Sequence, residues 1–400
     1  MEYYDWIVLG GGAAGLSLVN AMIDRGLGGR ILLLEKSKKS ENDRTWCYWS
    51  KEPLPNVGGS DSVWNQGLIA TKKSQKKFSL KHHNYRMIRS SGFYQQSYRR
   101  FEQHPSVEVA YESVEKIERQ GDRVLVQTEF GSYYGAYVFN SLLPFSPASI
   151  NRQWGLKQHF LGWWIESPTP IFDSECMRMM DFRVPQSGEV QFVYVLPLSP
   201  HKALIEYTVF SQQAWKLNRY RQGIRRYLKQ QYQLRDFEIT EEEKGIIPMS
   251  TAVFPRITDE RIIHIGTAGG MTKASTGYTF HRIQEDSQQL VKSFQENGRL
   301  IPSLMGTGRF AFYDHLLLWL IQHEPDLVPD IMMRLFSSNS ADLVLKFLHE
   351  KTHLLQELLI FCRLHWPPFL KALRYAYLKT STKEPLGSMA QPSQFDLPIR

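Results

Sequence analysis

The chain has 400 residues, of which 42% are apolar and 22% charged, and a formal net charge of +8; that length predicts two or three subdomains of ordinary globular composition. Its three cysteines, Cys47, Cys176 and Cys362, are too few and too widely spaced for a disulfide framework or a zinc site, so no metal is expected and a reducing compartment is the simplest inference. The basic excess is spread in short clusters (Lys36, Lys38 and Lys39; Lys72, Lys73, Lys76 and Lys77) with no RNA- or DNA-binding signature beside it, which leaves a solvated basic face or attraction to an anionic membrane surface and no nucleic acid.

Residues 6–9 form a short apolar run that enters Gly10-Gly11-Gly12. Residues 13–25 then read as a helix with Leu16, Val19 and Ile23 on one face and Gly26 as its C-cap, and residues 31–34 read as a second buried strand ending at Glu35. This is strand, glycine turn, helix, strand. Gly10-x-Gly12-x-x-Gly15 has Glu35 twenty residues further on, as a dinucleotide-binding unit requires. The first glycine permits the tight turn, the second lets backbone approach a pyrophosphate, and the third lets helix and strand pack closely. Ala13 and Ala14 open a helix whose free N–H groups suit the phosphates, Glu35 suits the ribose hydroxyls, and Lys36 and Arg44 lie where they can reach the same ligand. The position at the chain start and the meander that follows favour FAD over NAD, by fold analogy.

Asp43-Arg44-Thr45-Trp46-Cys47-Tyr48-Trp49 reads, on physical chemistry alone, as a packed aromatic strand with an ion pair at its start. Residues 113–118, 123–128 and 133–139 alternate around glycine turns and predict a hairpin meander. Residues 158–210 are strand-rich, and the clearest hairpin joins 190–198 to 203–210 through Ser199-Pro200-His201-Lys202. On its second strand, alternation puts Leu204, Glu206, Thr208 and Phe210 on one face. Glu206 is therefore either a sheet-edge carboxylate in water or a buried acid whose pKa is raised enough to donate a proton near neutrality. Residues 261–265 predict a strand into Gly266-Thr267-Ala268-Gly269-Gly270, followed by Thr276-Gly277-Tyr278 and a helix over 279–292. This second turn resembles the C-terminal flavin-contact motif of FAD-dependent hydroxylases, with Thr267 standing where those enzymes usually carry Asp. Residues 310–378 are helical in pattern, with Pro367-Pro368 expected to break them, and the tail after 380 is expected to be loose. No leader is recognised at the start, and the apolar stretch 310–321 carries Asp314 and is too short to cross a bilayer.

Taken in order, these strings resemble the lycopene cyclase family. The resemblance rests on Asp43 to Trp49, on Phe172-Asp173 with Met180-Asp181-Phe182-Arg183, on Leu196-Pro197-Leu198-Ser199-Pro200 leading into Ile205-Glu206-Tyr207-Thr208, and on Thr276-Gly277-Tyr278. It implies reduced FAD, with NADPH or NADH as reductant, and a non-redox closure of the ψ end groups of lycopene or other linear carotenoids to β-rings. It also implies Glu206 as the acid. Plant members carry two adjacent glutamates at this point; here Tyr207 follows Glu206, so a second carboxylate does not carry over. The dry site such chemistry needs makes Trp46, Trp49 and Thr208 candidate pocket residues beside Tyr278.

The expected fold is α/β (α+β): a Rossmann-like FAD-binding domain (1–150, with an insertion near 45–85, returning at 256–300), an antiparallel-sheet substrate domain (151–255) and a C-terminal helical region (301–380). The expected location is the cytoplasm, peripheral on the inner face of the membrane. A redox flavoenzyme acting on another isoprenoid, a non-catalytic FAD or lipid carrier and a nucleic-acid-modifying flavoprotein are the competing readings.

Overall fold

The computed structural model describes residues 2–57, 62–143, 156–252, 254–303 and 306–381. Ile31–Glu35 is buried at every position, a burden that a parallel sheet covered on both faces can carry. Glu2–Leu9 accordingly lies between Ile31–Glu35 and Ser132–Asn140, parallel to both. Val107–Tyr111 extends this sheet on one side and Ile262–His264 on the other. The meander expected over 113–139 is present as Val114–Gln120, Arg123–Thr128 and Ser132–Asn140. Its last strand is also the parallel neighbour of Glu2–Leu9, which ties the meander into the main sheet.

The helices Ala13–Asp24 and Phe280–Asn297 pack together over one face through Leu16, Val19, Ile283 and Leu290. The glycine turn makes this close packing possible. Gly10 has φ +95°, and a Cβ on Gly15 would stand 1.9 Å from the Gly10 carbonyl oxygen.

A second sheet has seven strands in the order Glu238–Met249, Leu156–Glu166, Lys202–Ser211, Val190–Pro197, Cys176–Asp181, Gln66–Ala70 and Gln75–Ser79. Its neighbours are antiparallel except Cys176–Asp181 with Gln66–Ala70. Part of the 45–85 segment thus completes this second sheet, while Thr45–Ser50, Asn84–Arg89 and Ser62–Trp64 form a small sheet of their own. Alternation gives the large sheet two apolar faces. Trp163, Ile205 and Tyr207 point back onto helix Leu217–Tyr232. Phe192, Leu196 and Leu204 point forward to Leu318, Met333 and Phe336 of the C-terminal helices.

Those helices are Gly308–His323, Val328–Ser338, Ala341–Leu348, Leu354–Cys362 and Trp366–Ser381. The helical stretch is interrupted beside Pro367 and Pro368, between Leu354–Cys362 and Trp366–Ser381. The two prolines sit in the first turn of Trp366–Ser381, where an N–H has no intrahelical acceptor to lose. A buried ion cluster fastens the helices down: Lys273 Nζ lies 2.8 Å from Asp314 Oδ1 and 2.9 Å from Glu350 Oε1, and Arg282 also meets Glu350. Among the described residues no helix is long and apolar enough to cross a membrane. The tail expected to be loose lies, from 382 on, outside the described residues.

Gly15→Ala should destabilise the protein by about 3 kcal/mol, because the atom it meets is backbone and cannot step aside. Gly28→Ala, where a Cβ meets nothing within 4 Å, should change stability by less than about 0.5 kcal/mol. Thermal unfolding of the two variants checks this contrast.

Candidate active site

The first glycine turn and the second meet at one end of a cavity of about 470 Å³. A Cβ on Gly12 would have nothing within 4 Å, so this backbone faces open space. A Cβ on Gly266, whose φ is +61°, would stand 2.7 Å from Ala14 Cβ, which places the second turn directly against the start of the first helix. Gly12, Ala13, Ala14, Arg44, Gly266, Thr267, Thr276, Gly277 and Tyr278 all line the cavity. Gly10 and Gly15 shape the turn beneath it, and Gly269 and Gly270 shape the second turn, where Gly270 has φ +76°. Glu35 is buried behind the first turn, and its carboxylate accepts the Gly11 N–H at 2.6 Å. Lys36 is exposed and does not line the cavity. Gln158 and Thr276 line the cavity, and their side-chain oxygens, Gln158 Oε1 and Thr276 Oγ1, are buried with no hydrogen-bond partner among the described residues. An extended polar ligand with a pyrophosphate is the chemistry this wall suits.

Glu206 stands further along the same cavity. Its own strand supplies Leu204 and Thr208 on the same face, as alternation requires, and the Thr208 hydroxyl donates to Glu206 Oε1 at 2.8 Å. Thr208 is itself fully buried and supports the carboxyl rather than lining the wall. Burial first, and then the charge of Glu243, push the Glu206 carboxyl up to about 8, against the downward pull of Thr208. Around it stand Cys47, Tyr85, Tyr194 and Tyr278. Burial raises the Cys47 thiol and all three phenols, with Tyr278 pushed up to about 12, so each stays neutral. Tyr85 and Tyr278 share a hydrogen bond of 3.1 Å.

A second cavity, of about 340 Å³, lies between the front of the seven-stranded sheet and the C-terminal helices. Met179, Phe192, Phe310, Leu317, Met332 and Phe361 are among its walls. Tyr194, Thr276 and Tyr278 line both cavities and stand between them. A mixed compartment, with the glycine turns and Glu206 in its wall, and a strongly apolar one therefore meet at two tyrosines, one of which, Tyr194, is the register partner of Glu206.

The aromatic candidates separate. Trp46 lines the larger cavity and stacks on Phe280 at 5.0 Å. Trp49 lines neither large cavity; it is buried behind Tyr278, edge-on at 4.7 Å, with its N–H donated to the Leu345 carbonyl. Asp181 of the Met180-to-Arg183 string is a buried anchor. Burial opposes its charge, but hydrogen bonds from Arg183 and Tyr227 hold its pKa below the usual range. Tyr207 faces the opposite side of the sheet, as alternation requires, and donates to Gln191 at 2.8 Å. Sequence reasoning missed Tyr85, Tyr194, Gln158 and Glu243. Glu243 was concealed in the run Glu241-Glu242-Glu243, which reads as solvated charge. Alternation within that run separates Glu242, paired with Arg221 on the far face, from its two neighbours.

Several solved structures share the fold over nearly the whole chain. A geranylgeranyl bacteriochlorophyll reductase-like protein from Thermoplasma acidophilum is 13% identical, with 96% of this chain and 98% of that one covered and a TM-score of 0.57. A variant of HpxO from Klebsiella pneumoniae, complexed with FAD, is 13% identical over 88% and 98% with a TM-score of 0.59. Halogenase PltM, in complex with phloroglucinol and FAD, is 13% identical over 96% and 93%, also with a TM-score of 0.59. The chain thus has the mixed-sheet α/β fold of FAD-dependent oxidoreductases, with C-terminal helices. No curated protein matches it in sequence. The family described as lycopene cyclase protein matches residues 5–374, and the chain belongs to the lycopene cyclase family.

Proposed function

We propose that the protein is a lycopene β-cyclase that uses Glu206 to protonate a ψ end group without net oxidation. The observation that carries this reading is a buried carboxyl in the cavity wall, next to the tyrosines that border an apolar compartment; its burial favours the protonated form. FAD suits the other end, where Gly12 faces open space and the second glycine turn closes against Ala14 at the start of the first helix. Gly12, Ala13, Ala14, Arg44, Thr267 and Thr276 are the residues that would hold it, with Glu35 bracing the first turn from behind through the Gly11 N–H. Bound and reduced by NADPH or NADH, it would supply negative charge near the reacting carbons.

The chain's own residues do the rest. Glu206 gives its proton to the terminal double bond, leaving a tertiary cation. The next double bond of the same chain attacks that cation and closes a six-membered ring. A ring proton then leaves, so the product has the mass of the substrate. Leu196, Leu204 and Phe160 in the wall keep water from the cation, and the faces of Tyr194 and Tyr278 attract it.

A membrane-dissolved hydrocarbon must reach this site. Leu354, Leu355, Leu358, Leu359, Trp366 and Leu370 are exposed on the last two helices. Ile360, Phe361, Leu364 and Phe369 of the same segment line the apolar cavity underneath. With the exposed Arg363, Lys371 and Arg374 around it, this face suits docking on an anionic bilayer.

Expression in a lycopene-accumulating bacterial host, with chromatography and mass spectrometry of the pigments, tests the reaction. Wild type should give products of unchanged mass and blue-shifted absorption, and Glu206→Gln should lower conversion by about 100-fold or more. Untouched lycopene, or a product of changed mass, would sink the reading. Stability gives an independent check. Glu206 titrates higher in the folded state, at about 8, than the ordinary 4.5. Between those values the folded protein keeps a proton that the unfolded chain releases, so stability falls as pH rises through the window. The Tm of Glu206→Gln should fall less than that of wild type over the same range. For docking, replacing Leu354, Leu355, Leu358 and Leu359 by serine should weaken cosedimentation with phosphatidylglycerol vesicles by about tenfold; unchanged binding would place the contact elsewhere.

A further inference from the structure

Glu206 belongs to a row of side-chain positions that crosses four strands. Tyr194 pairs with Glu206, Glu206 with Gly162, and Gly162 with Glu243. Directly paired residues share a face of the sheet, so all four positions point forward, and the one between the two carboxyls has no side chain. A Cβ on Gly162 would lie 2.9 Å from Leu204 Cδ1, 3.1 Å from Glu243 Cγ and 3.5 Å from its Oε1, so Leu204 and Glu243 lean into the space the glycine leaves. Glu243 is only 9% exposed. Two acids from strands that are not neighbours thus share one row and one face across a glycine, near enough for the charge of Glu243 to act on Glu206.

Their surroundings differ. Burial raises the Glu243 carboxyl as well, but its Oε2 accepts the Thr45 hydroxyl at 2.5 Å, and the positive charges of Arg89 and Arg44 pull it back down. On Glu243's own strand, Glu241 is already paired with Arg89. Glu206 has one donor, Thr208. The ionisable groups facing it from other elements are the neutral Cys47 of Thr45–Ser50, Tyr85 of Asn84–Arg89, Tyr194 of Val190–Pro197, Tyr278 of the second turn, and Glu243 itself. A single negative charge shared by two such acids settles where cations and a hydroxyl meet it, and like-charge repulsion keeps the proton on the other.

We propose that Glu206 and Glu243 form a carboxyl pair across Gly162 in which Glu243 holds the charge and Glu206 the proton, making Glu243 the positioning residue for the acid. Its catalytic meaning rests on the reading of Glu206 as proton donor. The pairing itself does not, and it replaces in space the second carboxylate that Tyr207 denies in sequence.

Infrared titration of the purified protein tests the pair without using turnover. At about pH 7 wild type should show a protonated-carboxyl band that Glu206→Gln lacks; absence of the band from wild type overturns the proposal. In Glu243→Gln or Glu243→Ala the band should titrate about one pH unit lower than in wild type, and Glu243→Asp should restore most of the difference. The upper pH limit of lycopene conversion should move down with it, with conversion at low pH nearly kept. A uniform loss at every pH, or an unmoved band, would mean that Glu243 is structural and overturn the pairing. If the band shifts as expected while lycopene is never converted, the pair stands and the cyclase reading falls.

Discussion

A carboxylic acid keeps its proton at neutral pH only where water cannot reach it, and the arrangement around Glu206 serves that desolvation. The seven-stranded sheet supplies the carboxyl from an interior strand, with neighbours on both sides to shield it. Helix Leu217–Tyr232 seals the back of the sheet, and the C-terminal helices seal the front beyond Tyr194 and Tyr278. Cys47, Tyr85, Tyr194 and Tyr278 around Glu206 are neutral, and Glu243 is the carboxyl that acts with burial to raise its pKa. Burial of this kind is unfavourable for the fold and, on the function proposed above, useful for the chemistry, a conflict typical of functional sites.

The fold and the site connect through backbone geometry more than through side chains. Gly10 and Gly15 let the first helix lie against the first strand, which brings Gly12 to the cavity. Gly266 then lets the second turn approach Ala14. Two distant parts of the chain thereby make one wall. Lys273, Asp314, Glu350 and Arg282 lock the helical cover onto the segment that follows the second turn. Replacing any one partner would leave a buried charge unmatched, so the cover and the cofactor-side fold are expected to be stable together rather than separately.

Much of this was legible in the sequence because it depends on local signals. The glycine spacing, the alternating hairpin around Ser199–Lys202 and the placement of Glu206 among Leu204 and Thr208 all follow from periodicity and turn chemistry. What was not legible depends on pairing between distant segments. Nothing near Glu243 says that its strand lies two places from that of Glu206, and nothing near Gln66 says that residues 66–79 complete the far edge of the same sheet. Trp49 and Trp46 look alike in sequence, yet one packs behind a tyrosine and the other faces the cavity. Pro367 and Pro368 show the same limit on a small scale: a proline pair ends one helix or begins the next, and only the neighbouring turn decides which.

The row Tyr194, Glu206, Gly162, Glu243 is held by sheet register alone, with no covalent or sequential link between its members. Chain connectivity is therefore interchangeable there in a way that strand length is not. Opening the backbone at the Ser199–Lys202 turn and rejoining it elsewhere would leave the row intact. Deleting one residue within Lys202–Ser211 would turn Glu206 to the helix-covered face and bring Tyr207 or Ile205 forward. Evolution of this sheet is free to rearrange its loops and bound to preserve the parity of its strands.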